Sequence, residues 1–134
     1  MSQKSNYVST NRSKHYLKCH LIFVCKYRKA MLAGQVNDDA KRIFSSIAEN
    51  SDFEIEVMET DKDHVHFLIR YIPRLFIAQI VGRLKQESTR QLWLLQTLRK
   101  QYWYQHLFWS DGYFTCSIGE ASPETIRQYI LSQG

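Results

Sequence analysis

Residues 53–71 read FEIEVMETDKDHVHFLIRY, and this stretch decides the fold. Phe53, Ile55 and Val57 alternate with Glu54 and Glu56, the polar turn Asp61-Lys62-Asp63 follows, and HVHFLIRY then takes up a second strand pattern. Two such runs around a short polar turn predict an antiparallel hairpin. Pro73 ends its second strand. Upstream, Ala40, Ile43, Phe44, Ile47 and Ala48 recur at three- and four-residue spacing, predicting a helix capped by Asn37 or Asp38 and running to about Asn50. Downstream, Ile77, Ile80, Val81, Leu84, Leu92, Leu95 and Leu98 mark a longer amphipathic helix, with its apolar stripe toward the sheet and its basic side outward. The outer strands are YLKCHLIFVCKY at 16–27 and YFTCSI at 113–118, the latter following the Asp111-Gly112 turn and closed by Gly119. The order βαββαβ predicts an α+β fold of the ferredoxin-like or RRM-like plan, an antiparallel sheet with helices on one face. Ser122 as cap, Pro123 in the first helical position and Glu124 at the dipole's positive end predict one further short helix over about 122–133.

A chain of 134 residues suits one domain, 1–134, and its 44% hydrophobic and 13% aromatic content suffices for a packed core, which excludes global disorder. No apolar run approaches the roughly 18 residues that span a bilayer, so no membrane partner is expected. The N-terminus lacks a secretory apolar stretch, and Cys19, Cys25 and Cys116 are odd in number without metal-clip spacing, so a reduced, cytoplasmic protein is expected. The net charge of +5 is unevenly spread, because residues 1–37 hold seven basic residues and no acidic one. A second basic stretch at Arg83, Lys85, Arg90, Arg99 and Lys100 runs beside Trp93, Tyr102, Trp103 and Tyr104. Phosphate-binding cations interleaved with stackable rings suit nucleic acid, and Lys14, Lys18, Lys26, Arg28, Lys29, Arg83, Lys85 and Arg90 are the candidate DNA contacts. A basic tail and a solvated helix face would give the same composition.

Chemistry enters with His64 and His66. Residues two apart on a strand share a face, so the imidazoles project together with Leu68 while Val65, Phe67 and Ile69 point to the other side. Two imidazoles on a rigid strand can hold a divalent cation, although surface histidines at a strand end would show the same spacing. On the last helix, Tyr129 and Gln133 stand at i and i+4 and share a face, with Ile126 and Ile130 placed to seat that helix. The Gln carbonyl oxygen offers a third ligand and the Tyr hydroxyl a nucleophile for a phosphodiester. Tyr102 and His106 have the same spacing and form a rival pair. A phenol with a pKa of about 10 is a modest nucleophile, so it needs a cation to polarise the phosphate. Exchanging one phosphoester for another conserves bond energy, and no Gly-rich nucleotide loop is present or required.

Together these residues resemble the HUH single-tyrosine transposases, called TnpA, of small insertion sequences that move as single-stranded DNA. The resemblance rests on Lys26-Tyr27-Arg28, on Thr60-Asp61-Lys62-Asp63-His64-Val65-His66, on Tyr113-Phe114 through Ser117-Ile118-Gly119, and on Gln128-Tyr129-Ile130 with Gln133. It implies His64, His66 and Gln133 as ligands for Mg²⁺ or Mn²⁺, and Tyr129 as a catalytic nucleophile that forms a 5′-phosphotyrosine and leaves a 3′-hydroxyl. It implies recognition of DNA hairpins at element ends. It also implies a homodimer in which the Tyr helix of one subunit completes the His pair of the other, with Gly119 at the hinge. Related HUH replication initiators and domesticated repeat-associated transposases share this chemistry; the small size, lone motif Tyr and absence of a helicase region favour the mobile-element enzyme. A non-catalytic ferredoxin-like DNA- or RNA-binding module would instead place stacking aromatics on the sheet face where His64 and His66 stand.

Overall fold

The computed structural model describes residues 16–95, 108–117 and 122–133. The elements run β1 (Leu17–Val24), α1 (Gly34–Glu49), β2 (Phe53–Asp61), β3 (His64–Tyr71), α2 (Ile77–Leu94), β4 (Phe114–Ser117) and α3 (Pro123–Ser132), with a single tight turn at Lys26–Arg28 after β1. The sheet order is β2-β3-β1-β4 and every pairing is antiparallel. This is the expected α+β plan, with the hairpin on one side of the central strand β1 and the last strand on the other.

One face of the sheet carries the core. Leu21 and Phe23 of β1 and Val65, Phe67 and Ile69 of β3 join Ala40, Ile43, Phe44 and Ile47 of α1 and Ile80, Val81, Leu84 and Leu92 of α2 in one buried cluster. Aromatic edges lock its centre: the Phe44 and Phe67 rings stand 4.9 Å apart at 86°, and Phe108 meets Trp109 at 4.5 Å. Trp109 also donates its indole N–H to the buried Ser88 hydroxyl of α2 at 3.0 Å. Because Phe44 touches Phe23, Phe67 and Trp109 at once, Phe44→Ala should lower stability by about 3–5 kcal/mol. Its urea midpoint should fall with little change in slope.

Three sequence expectations shift in detail. The basic end of the first strand is not strand: β1 stops at Val24, and Tyr27 and Arg28 adopt left-handed backbone at φ 60° and 56°. The first helix starts at Gly34 rather than after Asn37 or Asp38, because Val36 extends the buried stripe by a turn. Asn37 thus lies within α1, and its Oδ1 is buried without a hydrogen-bond partner among the described residues. The third difference is a bulge between Ile55 and Val57, where Ile55 faces Ile69 but Val57 faces Leu68. The extra residue flips the alternation, so Val57 is 43% exposed and Met58 packs against the core. Finally, α2 is described to Leu94; Leu98, like Ile118 and Gly119 beyond β4, lies outside the described residues.

Candidate active site

The second face of the sheet is built by the residues left over from the core. Directly paired residues share a face, so His66, Ile22 and Phe114 form one row across β3, β1 and β4, while His64 stands opposite Val24. The β2 bulge determines what lies on the outer side of the imidazoles. It places Glu59 opposite His66 and Asp61 opposite His64, whereas an unbroken alternation would have turned both carboxylates toward the helices. Bulges commonly re-aim side chains beside active sites.

Each imidazole has a defined partner. Asp63 Oδ1 lies 2.8 Å from His64 Nδ1, which fixes that ring and leaves Nε2 uncommitted to this contact. His20, from the central strand, brings Nδ1 to 2.9 Å from His66 Nε2, with ring centroids 5.1 Å apart. Burial, and then the neighbouring His20, hold the His66 imidazole below its ordinary value; Glu59 opposes the shift. The ring therefore stays neutral near pH 7, the form that ligates a cation. Asp61, by contrast, accepts the Lys62 amide N–H in the turn. Neither His20 nor the orienting role of Asp63 emerged from the sequence. The first needed a pairing across 46 residues, and the second was overshadowed by the turn propensity of aspartate. Among the described residues no three His, Cys, Asp or Glu side chains converge into a cation cage. The imidazole pair could offer a divalent cation two nitrogen ligands, and a third would then be of another type or come from elsewhere.

Helix α3 lies on this same face. Ser122 caps it by accepting the Thr125 N–H, and Pro123 follows at the first turn, as the sequence indicates. Ile126, Tyr129, Ile130 and Gln133 form its less exposed stripe. The Tyr129 ring packs on Phe114 with centroids 5.6 Å apart, and its hydroxyl lies over Gly112, where an added Cβ would sit 3.8 Å away. That hydroxyl is buried and has no hydrogen-bond partner among the described residues. Burial raises its pKa above the ordinary value, so the phenol is protonated at neutral pH. Gln133 closes the helix and donates its amide to Ser132 Oγ. Tyr129 and the His pair thus share a face without a hydrogen bond between them. The rival pair Tyr102 and His106 lies outside the described residues.

The floor beneath Tyr129 is tied down by Lys85. Its ammonium donates to the carbonyls of Ser110, Asp111 and Gly112 at 2.8, 3.0 and 2.8 Å, and stands 5.3 Å from the Phe23 ring centre. All three donors are engaged. The basic side of α2 therefore does not face out as one surface: Lys85 turns inward and half-buries, while Arg83 and Arg90 are exposed. Arg83 reaches Ser51 Oγ and the Asn50 carbonyl, and Arg90 pairs with Glu87. Lys18 pairs with Glu56, Lys26 lies 3.8 Å from Asp111, and Lys14 is outside the described residues. Lys85→Met keeps the aliphatic stem but removes the charged donor, so it should destabilise the protein by about 1–3 kcal/mol. Denaturant titration against Arg90→Met, whose partner is an exposed carboxylate, provides the comparison; that change should stay within about 0.5 kcal/mol.

A ferredoxin-like sheet with helices on one face thus carries a histidine pair and a tyrosine-bearing helix on the other. The family model for IS200-like transposases matches residues 13–133, and the chain belongs to that family. It is 34% identical over 120 residues to the ISDra2 transposase TnpA of Deinococcus radiodurans, covering 89% of this chain and 85% of that one. Similarity to the transposase for insertion sequence element IS200 of Salmonella typhimurium is 27% over 116 residues, 87% of this chain and 76% of the relative. Among solved structures, a candidate transposase from Deinococcus radiodurans superposes with a TM-score of 0.84 at 30% identity, covering 94% and 98% of the two chains. A REP-associated tyrosine transposase bound to a REP hairpin shares the fold, at a TM-score of 0.58 and 11% identity over 90% of this chain and 68% of that one. Family membership implies DNA cleavage and strand transfer.

Proposed function

We propose that the protein cleaves and rejoins single-stranded DNA at insertion-sequence ends through a 5′-phosphotyrosine on Tyr129. The observation that carries this reading is the Tyr129 hydroxyl, buried without a hydrogen-bond partner among the described residues on the sheet face that bears the imidazole pair. An unsatisfied buried phenol is unfavourable in a folded chain, and a phosphate oxygen or phosphorus centre gives it a use. Tyr129 Oη attacks phosphorus and gives up its proton as the new P–O bond forms. The 3′ oxygen leaves and takes up a proton, so one phosphodiester is replaced by another. Attack by a second strand's 3′-hydroxyl on the phosphotyrosine reverses the step and joins the strands.

His64 and His66 would hold Mg²⁺ or Mn²⁺, with the Gln133 carbonyl oxygen as third ligand. When bound, the cation neutralises charge on the reacting phosphate. Asp63 keeps the His64 ring oriented and His20 does the same for His66, the partner arrangement that ligating imidazoles generally need. Hairpins at the element ends are the proposed binding targets, with Lys14, Lys18, Lys26, Arg28, Lys29, Arg83 and Arg90 toward phosphates. Lys85 would act on that surface through the 110–112 turn it holds. Two copies of the chain would form the working unit.

The test is incubation with single-stranded DNA from the element's own end and Mg²⁺. A protein–DNA adduct that survives denaturation is expected, with the mass of the 3′ fragment attached at Tyr129. No adduct with either Mg²⁺ or Mn²⁺, from protein that still binds the hairpin, would overturn the catalytic reading in favour of a binding module. Binding should weaken with salt, and replacing Arg83 and Arg90 should flatten the logarithmic slope by roughly 0.7 per lost phosphate contact.

A further inference from the structure

We infer that Tyr27 is a stacking platform for one unpaired nucleobase of the bound strand, placed beside the His64 end of the imidazole pair; this rests on the single-stranded DNA reading above. Among the described residues, nothing accounts for two properties of Tyr27. The residue is 69% exposed, so burial does not account for an aromatic side chain here. Its backbone is left-handed at φ 60°, ψ 19°, and Arg28 follows at φ 56°, a conformation that Gly or Asn adopts far more readily. Strain retained at an exposed aromatic position points to a function of the side chain.

The turn that presents the ring is rigidly anchored. Lys26 donates its amide to the Phe108 carbonyl at 2.9 Å, Arg28 to Cys25 at 2.8 Å, and Leu32 to Lys62 at 2.9 Å. Cys25 donates to the Asp63 carbonyl at 2.9 Å, and Asp63 is the residue that orients His64. The platform is therefore fixed to the same hairpin turn that ends in the first imidazole. Its flanks are cationic: the Lys26 and Lys29 ammonium groups lie 5.5 and 6.0 Å from the ring centre. Those long side chains can swing to the phosphates on either side of a base that takes their place over the ring. Double-stranded DNA offers no free base face to such a ring, so the ligand is an unpaired nucleotide.

The experiment uses the full chain, an oligonucleotide of the element end, and a series of the same oligonucleotide with one abasic position at a time near the scissile phosphate. Tyr27→Leu should bind intact DNA roughly 5- to 150-fold more weakly, the range of a lost base stack, and Tyr27→Phe should restore affinity. Wild-type protein should lose a similar factor at one abasic position, and Tyr27→Leu should lose nothing further there. The salt slope of Tyr27→Leu should match wild type, because no phosphate contact is removed. Its melting temperature should not fall, since the ring is exposed. Equal affinity of Tyr27→Leu and wild type, or losses that multiply at every abasic position, would overturn the platform. If wild-type protein never forms an adduct but this pattern of affinities holds, the transposase chemistry fails and the platform stands.

Discussion

Tyr129→Phe should form no covalent adduct with element-end DNA, a fall on the order of 10⁴-fold or more as expected for removal of a nucleophile. The substitution deletes one oxygen and leaves the ring on Phe114. Because that oxygen is buried without a partner among the described residues, its loss removes a desolvated polar group, and stability should hold or rise by up to about 1 kcal/mol. Hairpin binding should persist, as the cations proposed for it lie on other elements. Loss of activity combined with unchanged or greater stability separates a nucleophile from a structural tyrosine, whose removal would lower both. A second readout is pH: burial holds the phenol above its ordinary value, so the wild-type adduct rate should climb through the neutral range without levelling off near pH 7. Tyr102→Phe is the matched control. An adduct that survives in Tyr129→Phe and disappears in Tyr102→Phe would move the nucleophile to Tyr102.

The parts of this fold that follow from local pattern were legible in the sequence. The hairpin at 53–71 and the Ser122-Pro123 helix start are written in period and cap chemistry, which need no knowledge of distant residues. The bulge at Glu56 is different. Nothing in FEIEVMET marks an extra residue, since the slip is set by how Phe53 and Met58 each find the core across β3. That slip places Glu59 and Asp61 beside the imidazoles, so the electrostatics of the site depend on the least legible feature of the strand. In the sequence His20 is only one residue of a strand, because its partner His66 becomes its neighbour through the β1–β3 pairing. Lys85 followed the basic pattern of α2 yet turned inward, since the carbonyls of 110–112 are a better partner than solvent for a stem lying over Phe23. Charge counts register a lysine without registering the direction in which its side chain points.

Mixing His64→Ala with Tyr129→Phe, each inactive alone, should restore adduct formation to about a quarter of the wild-type level at equal amounts. Random exchange makes about half the dimers mixed, and each mixed dimer holds one intact site of two. Helix α3 has no fully buried residue, and among the described residues it is held along the stripe from Ile126 to Gln133. In its own chain that stripe leaves Tyr129 over Phe114 of β4, on the far side of β1 from His66. Two strand spacings of roughly 5 Å separate β4 from β3, and the hydroxyl makes no hydrogen bond to either imidazole. A weakly held helix that stops short of its own histidines can complete those of a partner subunit at little energetic cost. In the mixed dimer the intact histidines belong to the Tyr129→Phe chain and the intact tyrosine to the His64→Ala chain. The adduct should therefore appear only on the His64→Ala chain, which a size tag on one variant resolves. Tyrosine helices acting within their own subunit would leave one defect in every site and give no recovery. Absence of recovery, once subunit exchange is confirmed by the tag, would assign α3 to its own sheet and require it to slide across β1 before the phenol meets the phosphate.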